Sequence, residues 1–202
     1  MNLYKLHSNP EELDLHDEAH ENVPHVIWDK YRTAPAELKK REAAIAKDAY
    51  YSYKYAKYVL NRPFPAGEAA IAKSAEYSYE YSRHVIDGPF PAGEAVIAKD
   101  ARWAYWYASD ILNCAFPAGE AAIAKDAEYS YMYASDILNC AFPAGEAEIA
   151  KSPEYSRWYA KDVLNGPFPA GEAAIAKDPD LWRDYKTKIL KENSLQTHTA
   201  VV

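Results

Sequence analysis

Residues 116–141 read FPAGEAAIAKDAEYSYMYASDILNCA, and near copies of this stretch run head to tail through most of the chain. One glutamate fixes the phase: it recurs as Glu42, Glu68, Glu94, Glu120, Glu146 and Glu172, each 26 residues after the last. Fixed self-similarity of this kind marks a repeat architecture, whose units cannot bury an apolar face alone and stack on their neighbours instead.

Punctuation divides each unit into two helices. In Pro117–Lys125 the proline can take the first helical position, Glu120 lies near the positive end of the helix dipole and Lys125 near its negative end. This is helix A. Asp126 then caps a longer helix B, predicted from about Ala127 to Leu138. Ser74 and Ser152 are equivalent caps in other copies, and Pro153 and Pro179 stand at the next position. The spacing ends helix B at Asn139, with Gly88 and Gly166 expected as helix-ending residues in other copies.

At about 100° per residue, helix B buries a wide arc. In the first repeat Tyr51, Tyr55 and Val59 form one row and Ser52, Ala56 and Leu60 the next. A helix touching its own helix A and the helices of both neighbouring repeats needs such an arc. The small residues Ala49, Ser52 and Ala56 allow close approach to the alanine-rich helix A. The sequence therefore reads as all-α: an α-solenoid of six 26-residue αα-hairpin repeats over 37–192. An N-terminal acidic helical cap precedes it over 1–36, and a disordered tail follows over 193–202. Residues 1–36 carry seven Asp and Glu against Lys5, Lys30 and Arg32, with helix starts at Asn9-Pro10 and after Pro24.

Composition narrows the function. The net charge of −7 is mild, and acids alternate with bases through the repeats, so no nucleic-acid-binding surface is expected. A DNA mimic would need acids near phosphate density, about one per 1.7 Å of duplex axis, and the repeats do not approach it. No window offers about 20 apolar residues in a row, so no membrane span is expected and the expected location is cytoplasmic. Cys114 and Cys140 hold one position in adjacent repeats. Stacked helices lie about 8–10 Å apart and a disulfide needs Cα atoms within about 7 Å, so free thiols are expected.

Two complete columns of residues run through the repeats: the glutamates, and Tyr55, Tyr81, Tyr107, Tyr133, Tyr159 and Tyr185. Glu68 shares a helix side with Phe64 and Ile71 and needs a donor, which a tyrosine hydroxyl would supply. The pair reads either as a hydrogen-bond ladder joining helices A and B or as the lining of a ligand groove. Two further columns stand at the edges of the arc. One is Tyr53, Tyr79, Tyr105 and Tyr131. The other runs from Lys54 and Glu80 to Trp106, Met132 and Trp158. Packing between identical units calls for the same residue each time, whereas a surface facing a partner can differ from unit to unit. Trp106, Met132 and Trp158 are thus the first candidates for partner contact, with the Tyr53 column next; the competing reading is aromatic cover over repeat junctions.

Catalytic signals are sparse. HDEAH places His16 and His20 one turn apart, but Asp17 stands where H-E-x-x-H has glutamate, and the segment reads as a solvated acidic helix face with no metal or cofactor expected. There is no Gly-rich phosphate loop and no G-x-S-x-G, and everything polar is either periodic or scattered.

At GEAAIAKD followed by YSYMYASDIL the chain resembles short tandem repeats of uncharacterised bacteriophage and bacterial proteins, over about residues 37–192. The resemblance implies an α-solenoid of paired helices and a phage origin. The unit is shorter than a tetratricopeptide of about 34 residues and lacks its Trp, Gly and Tyr spacing. The function expected is a non-catalytic protein-binding scaffold, a phage-encoded inhibitor of a host or defence protein. The alternative is a small-molecule or nucleotide sponge using the tyrosine-rich grooves between repeats.

Overall fold

A computed structural model describes residues 35–190. The expected tail, the HDEAH segment and all but two residues of the expected cap lie outside these residues. The described chain is all-helical, without a strand. Helix A spans Pro35–Ile45, Pro65–Ile71, Pro91–Ile97 and Pro169–Ile175 in the first, second, third and sixth repeats. In the fourth a 3-10 turn, Pro117–Gly119, leads into Glu120–Ile123, and in the fifth only Glu146–Ile149 is α-helical. The first helix A starts at Pro35, two residues inside the segment assigned to the cap.

Helix B begins after its side-chain cap in every unit. Asp48, Ser74, Asp100, Asp126 and Ser152 each accept the amide of the residue three further on, and Asp178 accepts those of Asp180 and Leu181. Each helix B then changes pitch midway. Ala49–Tyr55 is α-helical and Ala56–Leu60 is π-helical, and the same change falls within a residue of the central tyrosine in all six units. The widened segments stack on one another along one edge of the solenoid.

Five of these helices stop at a left-handed residue, but it is not the expected glycine. Asn61, Asp87, Asn113, Asn139 and Asn165 have φ between 48° and 55°, and no glycine among the described residues has positive φ. Asn and Asp tolerate this region because their short polar side chains bond locally. Gly88 and Gly166 come one residue later, where the backbone N–H reaches back to Ser82 O at 3.1 Å and Ala160 O at 3.0 Å.

The tightest packing lies between helix B and the helix A that follows it. A Cβ on Gly67 would fall 2.5 Å from Ser52 Oγ and 2.6 Å from Ser52 Cβ. Gly93, Gly145 and Gly171 meet Ser78, Ser130 and Ser156 in the same way, and Gly119 meets Ala104. The serine also donates backward, from Ser52 Oγ to Ile45 O at 2.9 Å and from Ser78 Oγ to Ile71 O at 3.0 Å, closing the end of the previous helix A. Small residues are thus required wherever a helix A with this glycine follows. In the sixth repeat Trp182 and Lys186 stand at the Ser52 and Ala56 positions, and 26 residues after Pro169–Glu172 the sequence reads Leu-Gln-Thr-His, not Pro-Ala-Gly-Glu. Between the helices run Ile71, Ile97, Ile123, Ile149 and Ile175, all at 0% exposure, with Phe64 and its equivalents edge-on to the buried tyrosines.

Gly145→Ala is therefore expected to lower stability by about 1–3 kcal/mol through overpacking, read from thermal or urea unfolding. Gly88→Ala meets nothing within 4 Å and should stay within about 0.5 kcal/mol of the parent. Equal effects would remove close approach as the reason for the PAGE glycine.

Candidate functional site

The complete columns form a clamp inside each unit. Tyr55, Tyr81, Tyr107, Tyr133, Tyr159 and Tyr185 donate their hydroxyls to Glu42, Glu68, Glu94, Glu120, Glu146 and Glu172 at 2.9–3.0 Å. The ladder reading of the sequence holds in every repeat. The same hydroxyl also accepts a backbone amide, which periodicity did not show: Phe64, Phe90, Phe116, Phe142 and Phe168 donate to it at 2.8–3.0 Å. Burial pushes the Tyr107, Tyr133 and Tyr185 phenols from 10.0 up to about 12, the Phe amide opposing the rise and the bonded glutamate adding to it.

A second ladder crosses the junctions, and its acids fall either in the variable column or one turn after it. Tyr53 donates to Glu80 at 3.0 Å, 27 residues on. Tyr79, Tyr105 and Tyr131 donate instead to Asp110, Asp136 and Asp162, at 2.6, 2.8 and 3.2 Å and 31 residues on. Arg157, standing where a tyrosine is due, returns to the shorter reach and donates to Asp184 at 3.0 Å, 27 residues on. Each junction thus receives one acid, at one of two positions a helical turn apart. Where the acid takes the earlier position, the later one holds a base that pairs with it: His84 with Glu80 at 3.3 Å and Lys188 with Asp184 at 2.6 Å. Where it takes the later position, the earlier one holds Trp106, Met132 or Trp158.

The structure places the candidate residues accordingly. Tyr53, Tyr79 and Tyr105 are 3–4% exposed, which corrects their reading as an open edge column. They are covered because Tyr77, Trp103 and Tyr129 of the next repeat lie against them, at ring-centroid distances of 6.1, 5.3 and 5.7 Å. Tyr131 is partly buried between Tyr155 and Trp158. Trp106, Met132 and Trp158 are also partly buried and pack on the core, Trp106 against Tyr105 and Trp158 against both Tyr131 and Tyr155. They share the helix B edge with Asp136 and Asp162, which are exposed, and Asp110, which is not fully covered.

Sequence reasoning missed the acids at 80, 110, 136, 162 and 184. The signal was present as joint variation: glutamate followed by histidine at 80 and 84, but tryptophan followed by aspartate at 106 and 110. Cys114 and Cys140 are free and exposed, as the spacing required. A shallow polar depression of about 200 Å³ lies between the second and third repeats, lined by Arg83, Asp87, Gly88, Asp110, Ile111 and Asn113. Arg83 and Asp110 pair there at 2.8 Å. No group of three or more His, Cys, Asp or Glu suited to a metal occurs among the described residues, and none of the helices searched is long and apolar enough to cross a membrane. No protein-family model, curated protein or solved structure matches the chain.

Two predictions follow from the two ladders. Asp136→Ala deprives the buried Tyr105 of its acceptor and is expected to cost about 1–3 kcal/mol. Met132→Glu with Asp136→His rebuilds the Glu80–His84 arrangement and should recover most of that loss in urea unfolding; no recovery would refute the two-position account. The clamp phenols have folded pKa values raised above the ordinary 10.0, so the stability they contribute is complete below pH 10 and is lost as the pH rises toward 12. Thermal midpoints should fall across that window, with the bulk of the tyrosinate absorbance appearing together with unfolding. Full ionisation ahead of unfolding would show open hydroxyls.

Proposed function

We propose that the chain is a non-catalytic scaffold that binds another protein along the helix B edge of the third to fifth repeats. One observation carries the reading. In three consecutive units a partly covered large apolar side chain, Trp106, Met132 or Trp158, stands one turn before an aspartate. The junction ladder accounts for the aspartates but asks nothing so large of the neighbouring position. A strip alternating apolar and acidic groups suits a basic segment with an apolar side, and half-buried tryptophans are the residues most often found at binding hot spots.

The other solvent face differs in kind. Helix A presents exposed Pro65, Ala66, Ala69 and Lys73, repeated without change at 91–99, 117–125, 143–151 and 169–177. A face so uniform offers a partner no register, whereas the helix B edge changes from unit to unit. The tyrosines that a small-molecule sponge would use are packed between helices, which favours the protein partner. With the resemblance to phage and bacterial repeats, the reading extends to a phage-encoded inhibitor of a host or defence protein acting in the bacterial cytoplasm.

The test compares capture from bacterial lysate by the parent and by a Trp106→Gln, Met132→Gln, Trp158→Gln variant whose helicity is checked by circular dichroism. Loss of these anchors should weaken partner binding about tenfold or more. A stoichiometric partner retained equally by both chains would move the site elsewhere. The absence of any partner, with a melting temperature that responds to a metabolite pool, would favour the sponge.

A further inference from the structure

The first repeat departs from the other five at its outer end. Where later units have His84 and Asp110, in the column that faces the preceding unit, it has Tyr58, which is 52% exposed, whereas Tyr50, 37% exposed, leans the other way onto Tyr77 of the second repeat with ring centroids 5.7 Å apart. Ile45 is only partly buried, although Ile71, Ile97, Ile123, Ile149 and Ile175 at its position are all at 0%. This end is also basic. Lys39 and Lys40 stand where the second repeat has Pro65 and Ala66, and the Lys54 ammonium lies 5.4 Å from the Tyr50 ring centroid and 5.1 Å from that of Tyr58. Lysines on both helices of one unit, exposed at 39 and 40 and partly exposed at 54, stand out in a chain of net charge −7.

We propose that residues 1–34 of this same chain cover that end, setting apolar side chains on Ile45 and Tyr58 and acids against Lys39, Lys40 and Lys54. Three arguments select this occupant. Residue 34 directly precedes helix A of the first repeat, so the segment reaches the surface without a linker and at high effective concentration. Its charge is complementary, with seven Asp and Glu against three Lys and Arg. Its sequence also keeps the phase of the repeat. One unit upstream of the cap Asp48 stands Asn22, upstream of Tyr53 stands Ile27, and upstream of Lys54 stands Trp28, the residue found at 106 and 158. The sequence of residues 22–34 thus follows the helix B pattern at its cap and at the Tyr53 column, whose rings each unit sets against the next, with Asp29 and Lys30 in place of Tyr55 and Ala56.

Amide hydrogen exchange on the full chain tests this. Ile27→Asp with Trp28→Asp is expected to speed exchange over residues 49–60 by about tenfold or more, leaving residues 127–164 unchanged. Lys39→Glu with Lys54→Glu leaves residues 1–34 as they are and should speed the same amides. Unchanged exchange over 49–60 in either variant overturns the proposal. So does parental protection that falls on dilution together with a dimer-to-monomer shift in sedimentation, because a second copy would then be the cover.

Discussion

One tyrosine hydroxyl per unit holds the fold together. Helix A has only four to seven helical residues in five of the six units, far below the roughly 12–15 at which an isolated helix becomes even marginal. It is held from outside. The hydroxyl at the centre of helix B accepts the amide of the phenylalanine preceding helix A and donates to the glutamate in its first turn, fixing the backbone at the helix start and the side chain one turn in. Since the oxygen is buried, both bonds must be made or the polar groups are stranded. The sequence separations of 17 to the phenylalanine and 13 to the glutamate are the same in each clamp that carries them. A unit cannot lengthen its turn without losing one of the two bonds, which is a physical reason for so strict a 26-residue period.

The junction between units obeys a looser rule. It needs one acid within reach of the preceding tyrosine or arginine, and the chain supplies it from either of two positions on the same helix face. Read singly, the 54, 80, 106, 132, 158 and 184 positions look unconstrained. Read with the residues four further on, the five from 80 to 184 form two solutions to one requirement, acid then base or large apolar then acid, while Lys54 with Tyr58 fits neither. The first closes the boundary with a polar pair, Lys188 on Asp184 or the His84 imidazole on Glu80, and the second covers it with a ring or a thioether. Only the second leaves apolar surface at the edge, which is why the proposed binding strip occupies the third to fifth repeats and stops at Asp184.

This distinction also decides what was legible in the sequence. Helix boundaries, caps, the glutamate–tyrosine ladder and the free thiols follow from a single unit repeated, and each was readable from Pro, Asp or Ser, Glu and Tyr at fixed offsets. The left-handed ends were misassigned to Gly88 and Gly166 because glycine is the usual choice, while Asn139, already placed at the helix end, and its counterparts Asp87 and Asn165 could take that conformation. The burial of Tyr53, Tyr79 and Tyr105 was not readable by placing residues on one helix. Their cover, Tyr77, Trp103 and Tyr129, belongs to the following unit, and a wheel drawn for one helix contains no neighbour. The π-helical second half of helix B has no composition signal that separates it from α-helix, and it shifts every later side chain around the axis.

A stack whose units touch only their neighbours has no single core, so its ends carry the largest departures from the pattern. At the far end the requirement for small residues lapses. With no helix A glycine to approach, Trp182 and Lys186 replace serine and alanine, and Trp182 stacks on Tyr185 of its own unit at 5.6 Å. At the near end Lys39 and Lys40 replace proline and alanine, and Tyr58 replaces a histidine or an aspartate. The two ends differ because different neighbours lie outside the described residues: a following helix A at the sixth unit, a preceding helix B at the first. A tryptophan can fold back and fill the first kind of gap from within its own helix. A partly buried isoleucine at the first unit is left for another segment to cover, and the chain carries one of complementary charge and repeat phase immediately upstream.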